Sequence, residues 1–460
     1  MTSTHRPESR LSGLLAFTAA AVAIAGVAGQ QQPAPAPRQP SDISMVITGA
    51  GAGAPPRFAV TDFLALSNDA ETVDAAKTIS AVLWDDLNFE REFALIPRDV
   101  AGTVPPPKSM ADVPFDRWRE LNADGVIVGT VQKTSAGIHV EVRLLGVQTR
   151  QSAFARQYDG SVASRRLYAH RISDDVHQQQ RALRGVAQTK LTFNSDRDGE
   201  RMAGTIERRN AKEIYMCDYD GESQRRLTTG FNLNINSTWS PDARSIAYTS
   251  YLRGLPNIFV AHIYDGTRDE LTKNAGNNFL PVFSPDGTRI AFSSTRDGNS
   301  EIYVMSRDGS NVRRLTNNPA IDTTPTWAPS GTQIAFVSDR TGAPQVYVMG
   351  VDGLGVRQIT HETYADRPTW SPAPYNEIAY TARTGPGNDI KVIELATGQI
   401  RQLTFGEGTN ESPSFAPNGR HFAFSSTRSG KEQIFTMARD GRGLRQLTRN
   451  GNNKQPDWSK

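Results

Sequence analysis

The sequence predicts an α/β N-terminal domain followed by an all-β six-bladed β-propeller with four-stranded blades, its C-terminal strand closing the first blade. Two observations carry the propeller. An aromatic residue followed by Ser or Ala recurs at Trp239, Phe283, Trp327, Trp370, Phe415 and Trp458, at spacings of 44, 44, 43, 45 and 43 residues. Triplets of the "IAF", "IYV" and "RLT" types keep the same period, each occurring six times. A third observation sets the boundary: residues 41 to about 186 lack the period and mix helical and strand patterns.

Each repeat holds four short apolar stretches separated by turn sequences such as "SPDGTR", "TRDGNS" and "SRDGSN". β-branched and aromatic residues between Gly, Asp and Asn punctuation read as four antiparallel strands. Four strands in about 44 residues is the pattern of a propeller blade, and a ring of blades buries faces that one blade cannot. We letter the strands A to D from the inside: A on the aromatic step, B on "IAF", C on "IYV" and D on "RLT". The repeats begin with strand B (Lys190–Phe193) and end with strand A (Gln455–Trp458), so the last strand is expected to complete the first blade.

The N-terminal region reads in order. Residues 1–28 carry a basic start and an uncharged apolar run from Leu11 to Val27 ending in small residues, which is the pattern of a cleaved export signal. The Gln/Pro-rich stretch 29–40 reads as an exposed linker. The domain 41–186 is expected to open with strands at Ile43–Thr48 and Arg57–Phe63. A capping box of Asn68 and Glu71 would start a helix running to about Asn88. Strands follow at 125–131, at the alternating Ile138, Val140, Val142 and Leu144, and at Ser152–Tyr158, then a helix from Ser164 to Arg184. The propeller occupies 187–460.

Composition excludes several functions. A net charge of +3 gives no case for nucleic acid, and the one cysteine, Cys217, rules out a disulfide framework. "GAGAG" at Gly49–Gly53 lacks the third glycine of a dinucleotide loop and the lysine of a P-loop, so it reads as a hinge. Asn194, Asp196, Asp198 and Gly199 fit the start of a calcium loop, but Thr205 stands where a bidentate Glu is needed. There is no H-E-x-x-H pair and no G-x-S-x-G elbow; His170 and His177 read as structural. No catalysis, metal or cofactor is expected.

The loops before strand A are the candidate site. Five residues before each aromatic stand Asn234, Asn278, Asp322, Ala365, Asn410 and Asn453, and Asp366 follows one place after Ala365. Asn and Asp suit turns, so the repetition reads equally as turn chemistry and as a polar ring around one mouth of the central channel.

The "SPDG…IAF…IYV…RLT" blades, with "RFAVTDF" (57–63), "ADGVIVGTV" (123–131) and "AHRISDDV…GVAQTKLTF" (169–193), resemble the TolB family of the Tol-Pal system. The resemblance implies a periplasmic, monomeric scaffold. It implies a Pal-like lipoprotein bound at the mouth before strand A, with Asn277, Asn278, Asp322 and Thr323 at the matching positions. It also implies a TolA-like inner-membrane protein bound by the N-terminal segment Ile43, Ser44, Met45, Val46, Ile47 and Thr48. Here a Pro-rich extension precedes that segment. The alternatives are a periplasmic propeller that recognises peptides or glycans, and a non-catalytic relative of peptidase propellers.

Overall fold

The computed structural model describes residues 45–49, 53–202, 210–230, 232–273 and 275–460. The expected signal and linker, Ile43, Ser44 and Thr205 lie outside these residues. Among the described residues no helix is long and apolar enough to cross a membrane, which says nothing of β-barrels.

In the α/β domain, β1 (Arg57–Val60), β2 (Leu64–Ala65), β3 (Ala94–Leu95), β4 (Gly125–Thr134), β5 (Gly137–Gly146) and β6 (Ser152–Gly160) form one sheet. Its order is β3-β1-β4-β5-β6, with β2 also on β4. The expected strand Arg57–Phe63 is therefore shorter, and Leu64–Ala65 resumes pairing with β4 after a break. Gly129 in β4 has no room for a side chain, because a Cβ there would stand 2.3 Å from the Phe63 ring. Helices α1 (Ala70–Glu90) and α4 (Arg165–Arg181) cover one face, burying Ile79, Leu83, Leu87, Ile172 and Val176. The short helices α2 (Arg98–Ala101) and α3 (Phe115–Glu120), unmarked by any strong sequence period, lie with a second core around Trp118. Asp69, not Asn68, caps α1: it has extended dihedrals and its carboxylate accepts from Thr72 N and Thr72 Oγ1.

The propeller has six four-stranded sheets. Strand A of blade 1 is Asn453–Trp458 and pairs with Lys190–Ser195, so the ends of the propeller segment meet in one sheet. Blades 2 to 6 open with strands A at Asn234–Trp239, Asn278–Phe283, Asp322–Trp327, Ala365–Trp370 and Asn410–Phe415. Every strand A contains a bulge, because its third residue has left-handed dihedrals: Asn236, Leu280, Thr324, Arg367, Ser412 and Gln455 all have positive φ. Proline follows that residue in five blades (Pro281, Pro325, Pro368, Pro413, Pro456), where the interrupted ladder needs no N–H. The freed amides of Leu280 and Ser412 donate to Thr249 and Thr381 of the preceding blades, each at 3.0 Å.

The latch is locked sideways as well. Asp457 accepts from Trp239 N of blade 2 at 2.8 Å and from Ser414 Oγ of blade 6 at 3.3 Å. One carboxylate thereby ties the closing strand to both neighbours. The other blades carry Thr238, Val282, Thr326, Thr369 and Ser414 at this position, so Asp457 is the one ionisable group in that layer.

In a four-stranded antiparallel blade the A–B and C–D turns share one end, and the B–C turns and D–A loops share the other. The α/β domain packs on the A–B end, through blades 1 and 6. Glu90 of α1 meets Arg420 and accepts from Val186 N, while Arg420 also pairs with Glu92. His421, its pKa pushed down to about 3 by burial, stays neutral; it stacks on Phe89 at 4.4 Å and donates to Phe89 O at 3.2 Å. Asp86 takes hydrogen bonds from His170 (2.8 Å) and from Tyr219 of blade 1 (2.6 Å). Burial opposes the imidazolium of His170, but its bond to Asp86 wins and raises the pKa.

Burial pushes the Asp457 pKa up to about 6 from its ordinary 3.8, against the bond from Trp239 N. The folded state then holds a proton that the unfolded state has lost between those two values. Stability from this group therefore falls as pH rises through that window, by at most about 3 kcal/mol. Asp457→Asn keeps an acceptor for Trp239 N and removes the charge. Its stability relative to the parent is expected to rise between pH 4 and pH 7, measured by urea unfolding at each pH. An advantage that does not change with pH would refute the assignment.

Candidate functional site

The six positions expected in loops before strand A are instead the first residues of that strand. Asn234 is 2% exposed, and Asn278, Asp322, Ala365, Asn410 and Asn453 are fully buried. The four Asn side chains among them bond to the neighbouring blade. Asn234 donates to Glu213 Oε2 at 2.7 Å, Asn410 to Asp389 Oδ1 at 3.0 Å and Asn453 to Gln433 Oε1 at 2.8 Å, each acceptor within the first two residues of strand C of the preceding blade. Asn278 makes the same bond to Asn257, at 3.3 Å.

The acceptor is held by the Thr that ends the "RLT" triplet. Thr228, Thr404 and Thr448 donate to Glu213, Asp389 and Gln433, while each accepts from the backbone of strand C. On the other side, Ser294 and Arg296 donate to Asn278 Oδ1, and Ser426 and Arg428 to Asn410 Oδ1. The arginines come from the B–C turns and lie over an aromatic pair, as Arg296 does over Phe292 and Tyr303. In blade 4, Asp322 replaces the amide and takes two bonds from Arg340 Nη2, at 2.9 and 3.1 Å. Burial raises the Asp322 pKa, opposed by Ser338 and Arg340.

What reaches the opening is the next residue. Ile235, Phe279, Thr323, Asp366, Glu411 and Lys454 are half-buried, and Asn277 lies just before strand A of blade 3. Of the expected site residues, then, Thr323, Asp366 and Asn277 lie outside the buried layer. Asp366 accepts from Tyr364 OH (3.0 Å) and Thr324 Oγ1 (3.2 Å). Between blades 5, 6 and 1 the mouth holds a cavity of about 200 Å³, lined by Asp366, Glu411, Arg367, Lys454, Asn388 and Tyr364 among others. Mixed charges at fixed positions suit both basic side chains and backbone groups of a partner. The bulges of the six strands A line a further cavity of about 130 Å³.

The sequence reading missed the apolar part of this end. Leu252 and Leu255 of a B–C turn, and Ile321 and Phe405 of D–A loops, are 41%, 59%, 53% and 70% exposed. Large apolar side chains in turns otherwise rich in Gly, Asn and Asp were the available signal.

The N-terminal segment is not a strand over Met45–Thr48. The Gln180 side chain accepts from Ile47 N at 2.9 Å and donates to Met45 O at 3.0 Å, taking the place of a partner strand. Met45 and Ile47 pack on the domain core, whereas Val46 is 55% exposed. Asp196 and Asp198, from the calcium-like turn, bind Asn452 and Arg226, and Asn194 bonds to Gln455. Among the described residues no group of three or more His, Cys, Asp or Glu side chains is placed to hold a metal ion.

Comparison with known proteins places both parts of the chain. Residues 180–460 match the TolB beta propeller domain and residues 18–153 the TolB amino-terminal domain. The Tol-Pal system protein TolB of Desulfosudis oleivorans is 33% identical over 209 residues, 45% of each chain. That of Geobacter sulfurreducens is 36% identical over 177 residues, 38% of each chain. These matches span less than half the length of the curated relatives. The crystal structure of TolB from Acinetobacter baumannii superposes with a TM-score of 0.74 at 26% identity, covering 88% of this chain and 97% of that one.

The buried layer predicts a separation of stability from exposure. Asp322→Ala strands Arg340 beside a neutral cavity and is expected to cost about 3 kcal/mol or more. Asn278→Ala should cost about 1–3 kcal/mol, since Ser294 and Arg296 lose their acceptor. Thr323→Ala, one residue along, should unfold in urea like the parent. An Asp322→Ala protein as stable as the parent would remove the joint's structural role.

Proposed function

Because the chain belongs to the TolB family, we propose that it serves the Tol-Pal envelope system as a periplasmic, non-catalytic scaffold. It binds a Pal-like lipoprotein at the D–A mouth of the propeller, supporting outer-membrane integrity and cell division. The observation that carries this reading is the position of the α/β domain: it packs on the A–B end and leaves the D–A end open. There the half-buried Thr323, Asp366, Glu411 and Lys454 surround the channel, and Leu252, Leu255, Ile321 and Phe405 form an apolar rim. The buried amides beneath fix these groups in place, so little ordering entropy is lost when a partner docks. Apolar anchors supply most of the energy at such a surface, while the charges set register.

The N-terminal segment is the second contact in this reading. Ile43–Thr48 would add to the edge of a sheet in a TolA-like domain, where main-chain bonds supply affinity. Gln180 and that partner compete for the same backbone groups of Met45 and Ile47.

Two measurements test these contacts. Ile321→Asp with Phe405→Asp should weaken binding of a Pal-like lipoprotein at least about tenfold. Leu354→Asp, 70% exposed on a C–D turn at the opposite end, should leave binding unchanged. Equal losses from both ends would refute the mouth. Gln180→Ala removes two hydrogen bonds worth about 1 kcal/mol each, so binding of a TolA-like domain should tighten by up to about thirtyfold. Unchanged binding would mean that the segment need not detach, or is not the contact.

A further inference from the structure

A cavity of about 450 Å³ lies where the end of α4 and the following connector meet blades 1 and 2. It is at the end opposite the mouth, and both domains wall it. Its volume falls within the ~300–1,000 Å³ of small-ligand sites.

The walls divide by chemistry. Met216, Trp239, Ala243, Ile263 and Tyr264 make an apolar side, on which Tyr264 is 77% exposed. Arg184, Arg225 and Lys460 stand on the other side; Arg184 and Arg225 form no ion pair among the described residues, and Lys460 is attracted by the buried Asp457. Lys190 also lines the cavity but is committed to Asp218. Asp174 and Asp175 line it too: Asp174 accepts from Ala187 N, Gln188 N and Gln188 Nε2, and Asp175 from Tyr158 OH. Trp239 is 4% exposed, and its indole Nε1 donates to nothing, unlike Trp327 and Trp458, whose indoles bond to Val282 O and Thr189 Oγ1.

We infer that this seam binds a small amphiphilic anion, its acidic head between Arg184, Arg225 and Lys460 and its apolar chain along Trp239 and Tyr264. Because residues of both domains contribute, the ligand clamps the α/β domain to the propeller. A carboxylate and a phosphate share this chemistry, and the choice between them is open to measurement.

Calorimetric titration of the full chain with octanoate, octyl phosphate and octanol tests the site. At least one anion should bind, and octanol should bind at least about tenfold more weakly, the equivalent of one charge-assisted hydrogen bond. The tighter anion identifies the head group. Arg225→Glu should weaken anion binding by about tenfold or more while octanol is unaffected. Tyr264→Ser, an exposed change in a separate blade, should weaken both anions and octanol. Octanol binding as tightly as the anions, no binding of either anion, or anion binding unaltered by Arg225→Glu would each overturn the proposal. None of these outcomes bears on the mouth, which lies at the other end of the ring.

Discussion

The propeller rests on a buried polar joint repeated between blades. A threonine at the end of strand D fixes an acidic or amide side chain at the start of strand C, which takes the amide that opens strand A of the next blade. A serine and an arginine then hold the other side of that amide. Buried groups of this kind are costly unless every partner is present, and strong when all are. The joint therefore fixes how far one blade may rotate against the next. Hydrophobic faces alone, sliding on each other, would not define that angle. Two of the six joints differ: Asp322 bonds Arg340 of its own blade, and at Ala365 Gln345 turns to the backbone of Glu362.

Closure multiplies the effect of each joint. The latch strand completes blade 1, and Asp457 reaches both neighbours, so the closing strand is tied at both of its seams. The bulge in strand A ties the centre further in blades 3 and 6, where the amide of its left-handed residue is taken by a threonine of the preceding blade; in blade 5 Asp366 takes that of Arg367 instead. Such strained dihedrals persist because the surrounding contacts over-determine them. The outcome at the mouth is a set of half-buried side chains whose positions are set before any partner arrives.

The seam between the domains follows a different rule. There the buried groups are ionisable: Glu90 with Arg420, Asp86 with His170 and Tyr219, and Asp220 with Arg166. Replacing one member of such a pair leaves the other charged and dry, which makes the docked orientation specific even where its net energy is modest. The same end of the ring carries the cationic cavity, so charges there are divided between those that hold the domains and those left without a partner.

The sequence by itself determined the blade count, the strand order and the latch, because period and alternation are local properties that each repeat states again. The 44-residue spacing, the turn residues between "IAF" and "IYV", and a repeat that starts at strand B together leave one ring. It also determined most of the α/β domain, although Asp69 rather than Asn68 caps the first helix and the two short helices lack a readable period. What only the tertiary structure decided is the direction of a side chain at a strand start. An asparagine five residues before an aromatic reads the same whether it faces solvent or a neighbour. Its acceptor lies in the preceding blade, and the bulge two residues on turns the next side chain toward the mouth. The same holds for Met45–Thr48, whose alternation suits a strand, but whose backbone found the Gln180 side chain more than a hundred residues away. Those choices depend on which groups remain unpaired after the chain has closed on itself, and no local pattern records that.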